Sequence, residues 1–202
     1  MELYLTKFEK YEPCEENLAE SPKLPYVDPL FKRRLSQISK MTIEVVHNVI
    51  DGDESLKDAK LVFASFRGEI ARQLKINKGI VEDAEVMPAQ FSISVFNTPP
   101  AVATIALGMK AGYTAVYPAG RDFSAALSSA AAAVISGREK RVVFAYADER
   151  VPAEYEGTSS SALSEKPMAM ACVLSSERTE GASEIGSLDF HSPADFMAKF
   201  SR

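Results

Sequence analysis

With only two cysteines and two histidines in 202 residues, the chain has little material for the common catalytic and metal-binding devices. Cys14 lies in a polar stretch and Cys172 in an apolar run, a spacing that makes neither a disulfide framework nor a metal-ligand set, so both read as free thiols. Neither His47 nor His191 completes a zinc spacing, a Cys–His dyad or a serine triad. Basic excess is also absent: 23 Lys and Arg against 28 Asp and Glu leave a formal charge of -5, which argues against nucleic acid as a partner. No apolar run approaches the roughly 20 residues that span a bilayer. The opening Met-Glu-Leu-Tyr-Leu-Thr-Lys lacks the basic and apolar regions of a signal peptide, so a cytoplasmic protein without membrane insertion is expected.

What the chain does have is enough apolar material, 46% of its residues, to fill the core of one domain or of half a duplicated larger fold. Glu2 to Phe8 alternates like a strand with one buried face, and a Glu- and Pro-rich loop follows to Pro29. Phe31, Leu35, Ile38, Met41, Val45, Val46 and Val49 then fall at helical spacing, which predicts one long amphipathic helix. Lys60 to Ser65 reads as a buried strand, Gly68 to Leu74 as a short helix, and Thr98-Pro-Pro as the opening of a helix that Gly108 and Gly112 end. Arg141 to Ala147 is apolar enough to be buried on both faces. Beyond it, Pro152 to Lys166, including Thr158 to Ser161, reads as a Ser-rich surface loop and Pro167 to Leu174 as a strand. A polar connection with a hairpin around Gly181 follows, and Ser192-Pro-Ala-Asp starts a capped terminal helix.

Between these elements Tyr113 to Gly120 reads as a strand and a tight turn, leading into an alanine-rich helix from Arg121 to Ser136 that Gly137 closes. A strand–elbow–helix unit is where hydrolases and acyltransferases place a Ser or Cys, because the helix N-terminus offers free N–H groups and a positive dipole end. Here the tip is Gly120, which has no side chain.

On Asn97, Thr104, Ile105, Gly108, Val116, Ala119, Gly137 and Asp148, the stretch Met87 to Asp148 resembles the N-terminal half of the β-ketoacyl-acyl carrier protein synthases. Phe31-Lys-Arg-Arg-Leu-Ser-Gln-Ile-Ser-Lys-Met, Ala147-Asp-Glu-Arg-Val-Pro152 and the Met-Ala-Met-Ala strand are similar to a short subgroup that accompanies aryl polyene-type pathways. The resemblance implies an α/β, thiolase-like fold, N-terminal half only: a mixed sheet flanked by helices, with the alanine-rich helix after the elbow at its centre. It further implies one ketoacyl-synthase-like N-terminal domain over 1–202, with a strand and loop at 1–29, a core at 30–151, and an irregular stretch with a late strand and helix at 152–202.

In that family the elbow cysteine accepts the acyl chain and two histidines from the C-terminal half assist decarboxylation. By the resemblance Gly120 occupies the cysteine position, and the histidine-bearing half is expected to be missing. No catalytic residue, cofactor or metal is therefore expected. Ser124, Ser128 and Ser129 follow the elbow as packing residues, Cys172 reads as a small buried apolar residue, and His47 falls beside the buried stripe. Nothing in the sequence brings His191 near Gly120. The resemblance makes Tyr113, Thr114, Ala115 and Val116 a dimer-interface strand, and Met87, Gln90, Phe91 and Phe96 an acyl-tunnel wall, although Met and Phe equally suit any core. Lys32, Arg33 and Arg34 are candidates for docking an acidic acyl carrier protein, against the plainer reading of a solvated face.

The expectation that follows is a non-catalytic, chain-length-factor-like subunit that pairs with a full-length β-ketoacyl synthase and shapes its acyl tunnel, with acyl carrier protein as the further partner. A homodimer through the Tyr113 strand is open for the chain in isolation. The alternatives are a split or degenerate synthase active only with a complementing chain, and a free-standing binding module for acyl chains or carrier protein.

Overall fold

The structure is a computed structural model that describes residues 2–155, 157 and 166–201. Thr158 to Ser161, and most of the Ser-rich stretch around them, lie outside the described residues. In chain order the strands are β1 (Tyr4–Tyr11), β2 (Lys60–Ala64), β3 (Tyr113–Val116), β4 (Arg141–Asp148), β5 (Met168–Ser175) and β6 (Ser183–Glu184). The helices are α1 (Pro29–Lys32), α2 (Gln37–Ile50), α3 (Ile70–Lys78), α4 (Pro88–Phe91), α5 (Thr98–Leu107), α6 (Phe123–Ile135) and α7 (Pro193–Phe200).

All six strands form one sheet in the order β3-β2-β4-β5-β1-β6. The first three neighbours run parallel, with Leu61 level with both Tyr113 and Val143, whereas β5 is antiparallel to β4 and to β1. Period-2 alternation decides which side chains go where. Leu61, Phe63, Val143 and Ala145 face α2 and α5, which contribute Ile38, Met41, Val45, Val49, Val102, Ala103 and Leu107. Val62, Ala64, Val142, Phe144 and Cys172 face α6 and α7, which contribute Phe123, Leu127, Ala130, Val134, Phe196 and Phe200. With helices on both faces the central strands must be apolar on both sides, and β4 is buried from Val142 to Asp148.

Local chemistry sets the boundaries. Ser192 Oγ accepts from Asp195 N at 3.1 Å and starts α7 as expected. Pro99 and Pro100 lie in the first turn of α5, and Gly108 ends it in the left-handed region at φ 66°. The single long helix predicted from Phe31 is in fact two. Asp28 caps α1, the chain breaks over Arg33–Leu35, and Ser36 begins α2 afresh by accepting from Ser39 N at 3.2 Å. The helical spacing of Phe31 and Leu35 is real, since both pack on the same core, but a side-chain cap at Ser36 offers the backbone an alternative that periodicity does not register.

The hairpin expected at Gly181 is also absent. β6 pairs with β1 through Ser183 and Leu5, so the chain steps over β1 instead of folding back on β5. The steric reason is that β5 already has β4 and β1 on its two sides.

Candidate functional site

The parallel strands β2, β3 and β4 end at one edge of the sheet, the edge at which α/β sheets hold ligands. Three connections converge there: Ser65–Glu69 after β2, Tyr117–Asp122 after β3, and Asp148–Glu149 at the end of β4.

The elbow after β3 keeps the predicted form with a shorter helix. Gly120 and Arg121 are both left-handed, at φ 64° and 60°, before Asp122 caps α6 by accepting from Ala125 N at 3.3 Å. Gly120 is exposed, and a Cβ built on it would meet no atom within 4 Å. The tip therefore has room for a side chain and carries none.

Beside it the buried carboxylate of Asp148 organises the end of β2. Its Oδ1 accepts from Ser65 Oγ at 2.6 Å and from the backbone N–H groups of Phe66 and Arg67 at 3.2 Å, and its Oδ2 accepts from the Tyr146 hydroxyl. Ser65 Oγ accepts in turn from Gly68 N at 2.7 Å. Burial pushes the Asp148 carboxyl above its usual range, against the opposing pull of these donors and of Arg67. The backbone N–H groups of Phe66 and Arg67 are engaged by this chain's own carboxylate, so the turn is a fastening between β2 and β4.

A second buried acid pair lies next to it. Glu69 Oε1 accepts from Ser36 and Ser39 hydroxyls at 2.7 and 2.8 Å, and Glu69 Oε2 pairs with Arg72 Nε at 3.4 Å. Glu149 accepts from Ala71 N at 3.0 Å, and burial first, with Glu69 adding to it, raises its carboxyl to about 7. Arg72 also donates to the carbonyls of Ile93 and Arg34, at 3.2 and 2.9 Å. The pair joins the starts of α2 and α3 to the segment before α5.

That segment is the least covered apolar part of the molecule. Met87 is 61% exposed, Phe91 56% and Val81 83%, with Ile80, Val86 and Val95 also exposed. Gln90 is half-buried, its amide against Met87 Sδ at 3.4 Å. Phe96 is half-buried, 6.4 Å from the Phe63 ring and edge-on to Tyr117 at 5.8 Å. Asn97 Nδ2 donates to the Tyr113 hydroxyl at 2.9 Å, linking this segment to β3. Tyr113, Thr114, Ala115 and Val116 form the end strand of the sheet, half-buried except for exposed Thr114. Phe96 and Asn97, at the end of this segment, thus touch β3 and the turn after it.

The remaining candidates divide. Lys32 Nζ donates to the carbonyls of Lys23 and Leu24 at 2.6 and 3.1 Å, so it ties down the preceding loop, while Arg33 and Arg34 are exposed. Cys172 is buried in the sheet and its thiol is pushed up by desolvation, and Cys14 is exposed. His47 is half-buried and stacked on Tyr26 at 3.6 Å. Ser124 Oγ bonds the backbone of Phe190 and Ser129 Oγ bonds Ala125 O, as packing residues do; Ser128 is exposed.

His191 is where the sequence did not point. With Arg121, Tyr146, Asp148 and Lys166 it lines a cavity of about 140 Å³ beside the elbow. The sequence did carry a signal for this network: Ser65-Phe-Arg-Gly-Glu69 and Asp148-Glu149 put charged residues directly at the ends of continuously apolar strands, where burial is unavoidable. Among the described residues no group of three or more His, Cys, Asp or Glu is placed to hold a metal. No helix there is long and apolar enough to cross a membrane.

No curated protein matches the sequence. The fold is similar to that of a solved complex of the ketosynthase ApeO with its chain length factor ApeC from Xenorhabdus doucetiae. The TM-score is 0.72 at 19% identity, over 87% of this chain and 79% of that one. It is also similar to the ishigamide ketosynthase/chain length factor, with a TM-score of 0.65 at 13% identity, over 89% of this chain and 64% of that one. A third likeness is to a type II polyketide synthase ketosynthase bound to its acyl-carrier protein (AntDE:AntF), with a TM-score of 0.63 at 14% identity, covering 86% and 63%. The chain spans less than two thirds of the length of the last two, whereas the chain matched in the first is only about a tenth longer than this one. These likenesses establish a thiolase-like fold. Residues 8–195 match the family described as "Beta-ketoacyl synthase, N-terminal domain", and with that span the chain belongs to this family.

Proposed function

We propose that the chain is a non-catalytic, chain-length-factor-like subunit that pairs with a full-length β-ketoacyl synthase and walls its acyl tunnel. The observation that carries this reading is an elbow with space at its tip but only Gly120 there. A Claisen condensation needs a thiolate and donors for the developing oxyanion. Gly120 supplies no thiolate, and the N–H groups of Phe66 and Arg67 face Asp148.

Two features fit a partner at this place. β3 ends the sheet with an edge open to pairing, and Met87, Phe91 and Val95, in the segment that reaches β3 through Asn97, are exposed. Met87, Gln90, Phe91 and Phe96 are the side chains this reading assigns to the tunnel wall, and Lys32, Arg33 and Arg34 those it assigns to carrier-protein docking.

The test is co-expression with a synthase that has an intact Cys elbow, such as one encoded beside this chain. A one-to-one complex, and no acyl mass shift on this chain when it is given an acyl-carrier donor, is the expected result. A stable monomer that ignores the synthase removes the reading, and acylation of this chain alone points to the split-enzyme alternative.

A further inference from the structure

We infer that Gly68 positions Phe96 against the elbow, so that the residue at 68 sets how far the tunnel wall reaches; this rests on the chain-length reading above. A Cβ built on Gly68 would stand 2.7 Å from Phe96 Cδ2, closer than real contacts allow, and a tight 3.3 Å from Phe96 Cα. Glycine is required there both by this approach and by φ +58°.

The glycine side of the contact is held in place. Gly68 N donates to Ser65 Oγ at 2.7 Å, and Ser65 Oγ donates to the buried Asp148, so the turn is fastened to β4 and cannot retreat. Of the two rings that Phe96 meets, Phe63 is fully buried in the sheet. Tyr117 is 62% exposed and is the first residue after β3. A side chain at 68 therefore drives the Phe96 ring toward Tyr117 and the elbow, because that is the direction in which the packing can give. Gly68 touches no reacting group itself; it is a positioning residue that acts through Phe96.

Two measurements test this separately from the partner assignment. In the full chain alone, the ring signals of Tyr117 followed by NMR should shift in Gly68→Ala and stay in place in Gly52→Ala. The control has the same left-handed strain at φ +74° but no atom within 4 Å of the added Cβ. In the complex with the synthase, Gly68→Ala should move the products toward shorter chains, with at least a threefold change in the ratio of the longest product to the next shorter one. Assembly should be unchanged, and Gly68→Ala with Phe96→Leu should return toward the starting ratio. Unmoved Tyr117 signals overturn the inference whether or not a complex forms. So does a product profile equal to that of Gly52→Ala. Should Gly68→Ala alone fail to fold, the double variant compared with Phe96→Leu decides: full recovery of folding supports the contact, and no recovery overturns it.

Discussion

A cysteine placed at Gly120 would have a Cβ in open space, so room is not what leaves the tip without a side chain. Gly120→Cys should fold with a loss of about 1 kcal/mol, from a left-handed φ imposed on a side chain, as read by urea unfolding. The new thiol should alkylate readily yet give no acyl adduct by mass spectrometry, because Asp122 caps the helix N-terminus beside it and Asp148 holds the neighbouring donors. Asp148 itself has the largest single effect expected on stability. Asp148→Asn replaces one of the two acceptor oxygens by an amide NH2, a donor facing the donors that the carboxylate now satisfies, and should cost about 2–4 kcal/mol in the same assay. Glu149 gives the pH dependence. Its folded-state value of about 7 lies above the ordinary 4.5, so its contribution to stability is fully present below pH 4.5 and is lost as pH rises through 7. Wild type should be less stable at pH 8 than at pH 5 by about 2–3 kcal/mol from this group. Burial raises Glu69 and Asp148 in the same direction, and Glu149→Gln should flatten the profile, measured by denaturant unfolding at the two pH values.

At the level of elements, the start of α2 shows why periodicity was an incomplete guide. The apolar stripe from Ile38 to Val49 was readable residue by residue, and it is the stripe that packs. The break before it depends on Ser36, whose hydroxyl both caps Ser39 N and donates to Glu69, 33 residues away in sequence. Ser36→Ala should lower stability by about 1–2 kcal/mol, the upper part of the range for a lost cap, because Glu69 also loses a donor. α6 presents the opposite case. Its alanines, the Gly137 stop and the turn before it are all local, and the helix lies within two residues of the expected bounds at its start and one at its end. The Gly181 turn was legible as a turn, but the strand after it chose β1, a partner 180 residues earlier in the chain.

For the whole molecule, the proposed pairing rests on the open edge at β3, and Thr114, the exposed residue of that strand, is the place to test it. Thr114→Lys should leave the stability of the chain within about 0.5 kcal/mol, as at most surface sites. It should abolish copurification with the synthase, since a lysine on an edge opposes strand pairing. By itself the sequence determined the class of fold, most strand and helix positions, the empty elbow at Gly120 and the terminal helix, because period-2 and 3.6-residue patterns, caps and glycine stops are local properties of the chain. It also flagged Tyr113–Val116 and Met87–Phe96 as two separate stretches. Tertiary structure alone brought Phe96 against Tyr117, set His191 beside Arg121, and joined Ser65 to Asp148 across 83 residues and Gly68 to Phe96 across 28. Such contacts depend on which strands become neighbours and which donors are left buried at their ends, and no local pattern encodes either until the sheet has formed.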